Sequence, residues 1–330
     1  MHILTKGKYE YLKKVSDRNN VIAALAIDQR GSLKKMIADN STTDIGDEGI
    51  INFKKLVSQE LTKYSSSILL DPEYGLPAAG LRDENAGLLI SYEETGYDAT
   101  EVGRLPDLLG FWSAKRIKEI PADAVKILLY YDIDEDEAIN DQKHGFVERV
   151  GSECIAEDIP FFLEIVTYDA SNIDVNSPEY AKLKPRKVIE SMKVFSDPRY
   201  AVDVLKMEVP VNMNYVEGFS KGEVVHTREE ALAFFKDQSE ATELPFIFLS
   251  AGVSAELFQK TLEFAKEGES TFNGVLCGRA TWKDSVVIFA RDGEDAAIEW
   301  LQTVGRKNIE DLNAVIEKTA TPWTEKITVE

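Results

Sequence analysis

Lys206 sits inside an apolar run, Val202–Asp203–Val204–Leu205–Lys206–Met207–Glu208–Val209, that reads as a buried strand. Burying an ammonium is costly, and the usual relief is a lowered pKa that leaves a neutral amine. A neutral amine in a dry pocket attacks carbonyls, so Lys206 is a candidate Schiff-base nucleophile. The alternative is a strand-end lysine that snorkels to solvent or pairs with a core carboxylate. Glu164 lies in a second such run, Phe161–Phe162–Leu163–Glu164–Ile165–Val166, and Lys126 in a third that ends Tyr130–Tyr131–Asp132. A carboxylate beside Lys206 could move protons in imine chemistry, and a second cation nearby would lower the amine's pKa further. Glu164 with Lys206 could equally be a buried salt bridge without chemistry, and Lys126 a framework cation paired with Asp28.

These residues need a scaffold that brings strand ends together. Eight short apolar runs recur: Val21–Ile27, Ser66–Leu70, Ala86–Ser91, Ala124–Tyr131, Pro160–Val166, Ala201–Glu208, Pro245–Ser250 and Phe272–Cys277. Nearly continuous apolar character suits strands covered on both faces. Between them helical patterns are expected over about 47–64, 105–119, 134–157, 179–195, 227–240, 254–267, 284–303 and 308–318, with only a weak one near Glu73–Gly80. Eight β-then-α units without a low-complexity linker predict a single (β/α)8 barrel domain over 1–330. An N-terminal extension occupies about 1–20, and a C-terminal helix and tail about 306–330. An open doubly wound sheet is disfavoured, because no GxGxxG or P-loop glycine pattern follows the first run.

In such a barrel the chemistry belongs at the C-terminal ends of the strands. The long connections 167–178 and 209–225 are expected lid material there. Side chains alternate faces along a strand, so Asp28 can share the inward face with Ala24 and Ala26, Glu164 with Phe162, and Lys206 with Val204. Ser250–Ala251–Gly252 and Gly278–Arg279 end the seventh and eighth runs, where barrels commonly hold phosphate. Small residues bare backbone N–H groups, a helix start follows, and Arg279 offers a fork for phosphate oxygens.

Composition narrows the partners. A formal net charge of −20 argues against nucleic acid and anionic membranes, and makes a local cationic floor necessary for any anionic substrate. No stretch approaches the roughly 20 apolar residues of a membrane span, and the first twenty residues lack the apolar core of a signal peptide. The two cysteines, Cys154 and Cys277, form no pairing framework, which fits a cytoplasmic protein. The three histidines, His2, His144 and His226, lie off the strand ends, a poor basis for a zinc site. A carboxylate-only magnesium site at Asp28, Asp71 and Glu164 is conceivable.

Four stretches together resemble the class I tagatose 1,6-bisphosphate aldolases: Ala26–Ile27–Asp28–Gln29–Arg30–Gly31, Ser67 to Gly75, Asp203 to Pro210 and Gly274 to Trp282. The likeness extends to Thr321–Pro322–Trp323–Thr324. It implies a barrel that cleaves tagatose 1,6-bisphosphate to dihydroxyacetone phosphate and glyceraldehyde 3-phosphate without metal or other cofactor, in lactose and galactose breakdown through tagatose 6-phosphate. By the same resemblance Lys206 is the Schiff-base lysine and Glu164 the acid/base carboxylate. Asp28, Gln29 and Lys126 match pocket residues, and Ser250, Gly252, Gly278 and Arg279 the phosphate end. Rival readings keep the Schiff base but use fructose 1,6-bisphosphate or another ketose phosphate, or treat the barrel as a sugar-phosphate sensor or a magnesium-dependent enolising enzyme. A homo-oligomer is plausible.

Overall fold

In the computed structural model, which describes residues 1–41, 46–94 and 101–330, the eight apolar runs become eight parallel strands. They are β1 (Ile22–Ala26), β2 (Ser67–Leu70), β3 (Gly87–Ser91), β4 (Ala124–Tyr131), β5 (Phe161–Thr167), β6 (Val204–Met207), β7 (Phe246–Leu249) and β8 (Gly274–Cys277). Each pairs with its successor, and β8 returns to β1 through Ile22 opposite Gly274, so the barrel closes with no free edge.

Strand parity sorts the core into two layers. Ile22, Ala24, Ala26, Leu69, Leu89, Phe162, Val204, Ile247 and Leu276 form one cluster inside the barrel. Leu25, Ile68, Ile127, Leu163, Leu205 and Phe248 join a larger cluster between the sheet and the surrounding helices. A strand buried on both faces must be apolar at nearly every position, which explains runs such as Ile68–Leu69–Leu70. It also means that a charged residue inside a run stands out only if it points inwards.

The helices depart from the sequence reading in three places. Gly31–Asn40 is an additional helix with Leu33 and Ile37 buried. Only Ala114–Glu119 of the expected 105–119 helix forms, with Ser113 capping its first turn. Residues 105–113 instead run as irregular chain past Pro106, and Leu109 N–H bonds the Tyr92 carbonyl. The expected 284–303 helix starts earlier, at Arg279, and is interrupted at Gly293, whose φ of 92° no β-carbon-bearing residue adopts easily. Among the described residues no helix is long and apolar enough to cross a membrane.

The segments read as extensions seal the end of the barrel opposite the strand C-termini. Helix Lys6–Lys14 brings Leu12, and Val15 follows, under the inner cluster, where Trp323 and Ile327 join them. The approach is close: a β-carbon on Gly87 would lie 2.5 Å from the Lys14 carbonyl oxygen. His2–Leu4 and Ile327–Val329 pair as a parallel ribbon. Trp323 is fully buried, donates from its indole to Ser16 Oγ at 2.8 Å, and meets the Tyr9 ring edge-on at 5.2 Å. Trp323→Ala should therefore cost about 3–5 kcal/mol, read by urea denaturation. Turnover measured well below the melting temperature should be unchanged, because the tail closes the end away from the strand C-termini.

Candidate active site

Glu164 and Lys206 face each other across β5 and β6, as their register pairing requires. Lys206 Nζ lies 2.7 Å from Glu164 Oε1, and Lys126 Nζ 2.7 Å from Glu164 Oε2. Lys126 also contacts Glu93 Oε1 at 2.7 Å and Asp28 Oδ2 at 3.0 Å. The four expected residues thus form one continuous ionic chain, with Asp28 just past β1, Lys126 in the first half of β4, Glu164 midway along β5 and Lys206 near the end of β6. Contacts of this length gain roughly 6 kcal/mol each at an effective dielectric near 20. That is the same order as the several kcal/mol each buried ion forfeits in hydration. A single contact would barely hold Lys126, which is 1% exposed; three do.

The electrostatics follow from that crowding. Burial opposes a charged Lys126, yet Asp28, Glu164 and Glu93 outweigh it and raise the ammonium's pKa well above the usual lysine value. Lys126 is therefore a fixed cation, and the expected role as framework partner of Asp28 is observed alongside its contact with Glu164. Burial pushes Glu164 up, but Lys126 and then Lys206 outweigh it and hold the carboxyl below its ordinary value. Asp28 is likewise held far below the usual range by Lys126 and Lys206 against its own burial. Glu93 goes the other way: burial, with the Asp28 charge adding, raises it despite Lys126.

Glu93 was not among the expected site residues. It keeps the inward parity of Ser91 beyond the end of β3, in a segment bridged to Leu108, so an apolar run ending at Ser91 hides it. Ser91 stands opposite Lys126 across β3 and β4. Ser91 Oγ, Glu93 Oε2 and Gln29 Oε1 are buried with no protein hydrogen-bond partner among the described residues. Unpaired buried acceptors and hydroxyls in a pocket are groups kept for a ligand.

The second expected cluster also assembles. Gly252 has φ of 76°, and a β-carbon there would come within 3.0 Å of Arg279 Nη2. Ala251 is left-handed as well, at 49°. On the facing turn a Gly278 β-carbon would meet the Ala26 carbonyl oxygen at 3.0 Å and Gln29 Nε2 at 3.5 Å. Helix Arg279–Asp292 begins directly after Gly278 without a side-chain cap, leaving its first N–H groups for a ligand. Arg279 is exposed, and Ser250 is buried at the end of β7. Burial raises the Cys277 thiol, with Thr281, Ser250 and the Lys206 charge acting against that rise.

The remaining expected groups lie elsewhere. Asp71 pairs with fully buried Lys54, so the magnesium set weighed from sequence is divided between two lysines. His2 reaches Asp203 at 3.3 Å, His144 the Tyr131 hydroxyl at 3.0 Å, and His226 the Ala181 carbonyl oxygen at 2.9 Å. A cavity of about 690 Å³ at the sealed end is lined by His2, Asp203, Thr242 and Leu244, away from Lys126 and Glu164.

Fold and site together describe a β/α-barrel enzyme centred on a lysine and a carboxylate. The chain belongs to the DeoC/LacD family of aldolases, whose family model matches residues 22–284. It is 60% identical to tagatose 1,6-diphosphate aldolase 2 of Streptococcus agalactiae over 98% of this chain and all of that one. It is 62% identical to tagatose 1,6-diphosphate aldolase 2 of Enterococcus faecalis over the whole chain and 99% of that one. In fold it is similar to a fructose-bisphosphate aldolase from Plasmodium falciparum, with a TM-score of 0.69 at 18% identity, covering 97% of this chain and 98% of that one. A Schiff-base-forming fructose-1,6-bisphosphate aldolase aligns with a TM-score of 0.54 at 14% identity, covering 94% and 98%.

Lys126→Met removes the cation that does most to keep Glu164 ionised. The Glu164 pKa should then rise, so the acid limb of kcat/KM against pH should move to higher pH. An unmoved limb would show that Lys126 does not set the ionisation of Glu164.

Proposed function

We propose that this chain is a metal-independent class I aldolase that cleaves D-tagatose 1,6-bisphosphate to dihydroxyacetone phosphate and D-glyceraldehyde 3-phosphate through an imine on Lys206. The observation that carries the reading is the Lys206–Glu164–Lys126 contact chain inside the barrel. Identity near 60% to named tagatose 1,6-diphosphate aldolases over essentially full length supports the choice of substrate. Its metabolic place is lactose and galactose breakdown through tagatose 6-phosphate, in the cytoplasm.

For Lys206 to attack the C2 carbonyl its ammonium must give up a proton, and Glu164 Oε1 is the acceptor 2.7 Å away. The resulting carbinolamine loses its hydroxyl as water when Glu164 returns that proton, leaving an iminium. The iminium draws the electron pair of the C3–C4 bond as it breaks, with the C4 hydroxyl proton passing to Glu164, directly or through water. The products of that step are the aldehyde and an enamine, which takes a proton back at C3. Hydrolysis of the imine then frees dihydroxyacetone phosphate and restores the amine. Such positioned proton transfer typically contributes about 10²–10⁴-fold. Lys126 stays charged throughout, steadying Glu164 as an anion, while Asp28 orients hydroxyls. Arg279, with the backbone of Gly252 and Gly278 and the Ser250 hydroxyl, holds the phosphate on C1. Gln29 and Ser91 offer the unpaired polar atoms that a polyol needs.

Borohydride reduction in the presence of dihydroxyacetone phosphate should leave a stable adduct on the peptide containing Lys206, seen by mass spectrometry. Lys206→Ala should reduce kcat by at least about 10⁴-fold while preserving the circular dichroism spectrum, since Glu164 keeps its contact with Lys126. Binding without an adduct would favour a sensor. Prolonged EDTA treatment should leave turnover unchanged, and a loss restored by zinc would overturn the metal-free mechanism.

A further inference from the structure

The C1 end of a bisphosphate has its cation in Arg279; the far end must have another, because the reacting centre has none to spare. There, among the described residues, Asp28, Glu93 and Glu164 form ion pairs with Lys126 and Lys206 alone. Neighbouring cations at this end of the barrel are also engaged. Arg30 is held by Glu73 and the Glu93 carbonyl, Lys184 by Glu208, and Lys187 by Asp132, Asp134 and Asp169. Lys143 is fully buried, with its ammonium on the Tyr168 hydroxyl.

Arg104 differs. It lies in the chain between β3 and β4, half-buried, and no carboxylate among the described residues pairs with it. Its guanidinium instead lies 4.3 Å from the Tyr168 ring centroid and 5.4 Å from that of Tyr130. Tyr130 has the inward parity of Lys126, one turn of the alternation above Leu128, so its ring stands over the reacting centre. The charges of Arg104, Glu164 and Lys126 all act on its hydroxyl, whose pKa burial raises.

The backbone holds Arg104 in place at a cost. Gly103 and Arg104 have φ of 82° and 44°, the second uncommon for a residue with a β-carbon. The Tyr168 hydroxyl donates to Glu135 Oε2 at 2.7 Å and lies 3.3 Å from the Gly103 carbonyl oxygen, tying this turn to the segment after β5. A left-handed arginine stacked on two rings, with no carboxylate partner among the described residues, is poised for an anion from outside. Around the barrel rim, Arg279 follows β8, Lys206 lies on β6, Glu164 on β5, and Tyr130 with Arg104 lies at β4. A bisphosphate bound through C1 at Arg279 and C2 at Lys206 therefore runs towards Arg104.

We propose that Arg104 binds the phosphate of the aldehyde half of the substrate, the one on C6. The assignment rests on the aldolase reading above. It is tested with Arg104→Asn, since asparagine tolerates the left-handed backbone, and with Arg104→Lys as the conservative variant. Steady-state cleavage of tagatose 1,6-bisphosphate is compared with cleavage of tagatose 1-phosphate, which lacks the C6 group. Arg104→Asn should lower kcat/KM for the bisphosphate roughly 10- to 100-fold, mainly through KM. It should change kcat/KM for the monophosphate less than about 3-fold, and Arg104→Lys should recover part of the loss. Equal loss on both substrates, or no loss on the bisphosphate, would overturn the proposal. Wild-type cleavage and borohydride trapping of dihydroxyacetone phosphate test the aldolase reading separately, since trapping engages only the half of the substrate bound by Lys206 and Arg279.

Discussion

The site depends on one carboxylate shared between two ammonium groups. Glu164 offers an oxygen each to Lys206 and Lys126, and that shared grip is possible because the three residues sit on consecutive strands, with Glu164 opposite Lys206 and Lys126 opposite Phe162, two residues before Glu164. Without the lysines, burial would drive Glu164 towards its neutral acid form; without Glu164, two like charges would face each other in a dry interior. Neither half of the arrangement is tenable alone. The barrel supplies the register, and the register fixes the contact to a few tenths of an ångström.

The two lysines then divide the labour by their surroundings. Lys126 is surrounded by three carboxylates and serves as a permanent charge. Lys206 has one carboxylate partner among the described residues, Glu164. The distinction is invisible in residue type and resides in the partner count. The carboxylates are separated as well: Lys126 and Lys206 outweigh burial at Asp28 and Glu164 and lower them, whereas at Glu93 burial, with the Asp28 charge adding, outweighs Lys126 and raises it.

Much of this was legible in the chain itself. Lys206, Glu164 and Lys126 interrupt apolar runs, and period-2 alternation allowed Glu164 and Lys206 to share the inner face with Asp28 without fixing their contacts. The glycines at 252 and 278 were expected to bare backbone N–H groups, and a β-carbon on either would come to 3.0 Å of a neighbour. Glu93 and Arg104 were hidden for different reasons. Glu93 continues the parity of β3 past the point where apolar character stops. Arg104 acts from an irregular segment, where no periodicity announces orientation and its stacking partners, Tyr130 and Tyr168, come from other parts of the chain. Helix boundaries failed where tertiary bonds replaced helical ones, as in 105–113, and where Gly293 broke a pattern that hydrophobic spacing alone would carry through.

The alternation that sorts the core into two layers has an engineering consequence. Along each strand, positions that touch substrate and positions that anchor helices take strict turns, so stability and specificity are written on interleaved but separate residues. Leu128 and Tyr130 can be varied while Ile127 and Leu129 keep the helices docked, and the same holds for Val166 beside Ile165. A library restricted to inward positions above Lys126 and Glu164 would therefore search new aldol acceptors while leaving the packing that keeps the protein folded largely untouched.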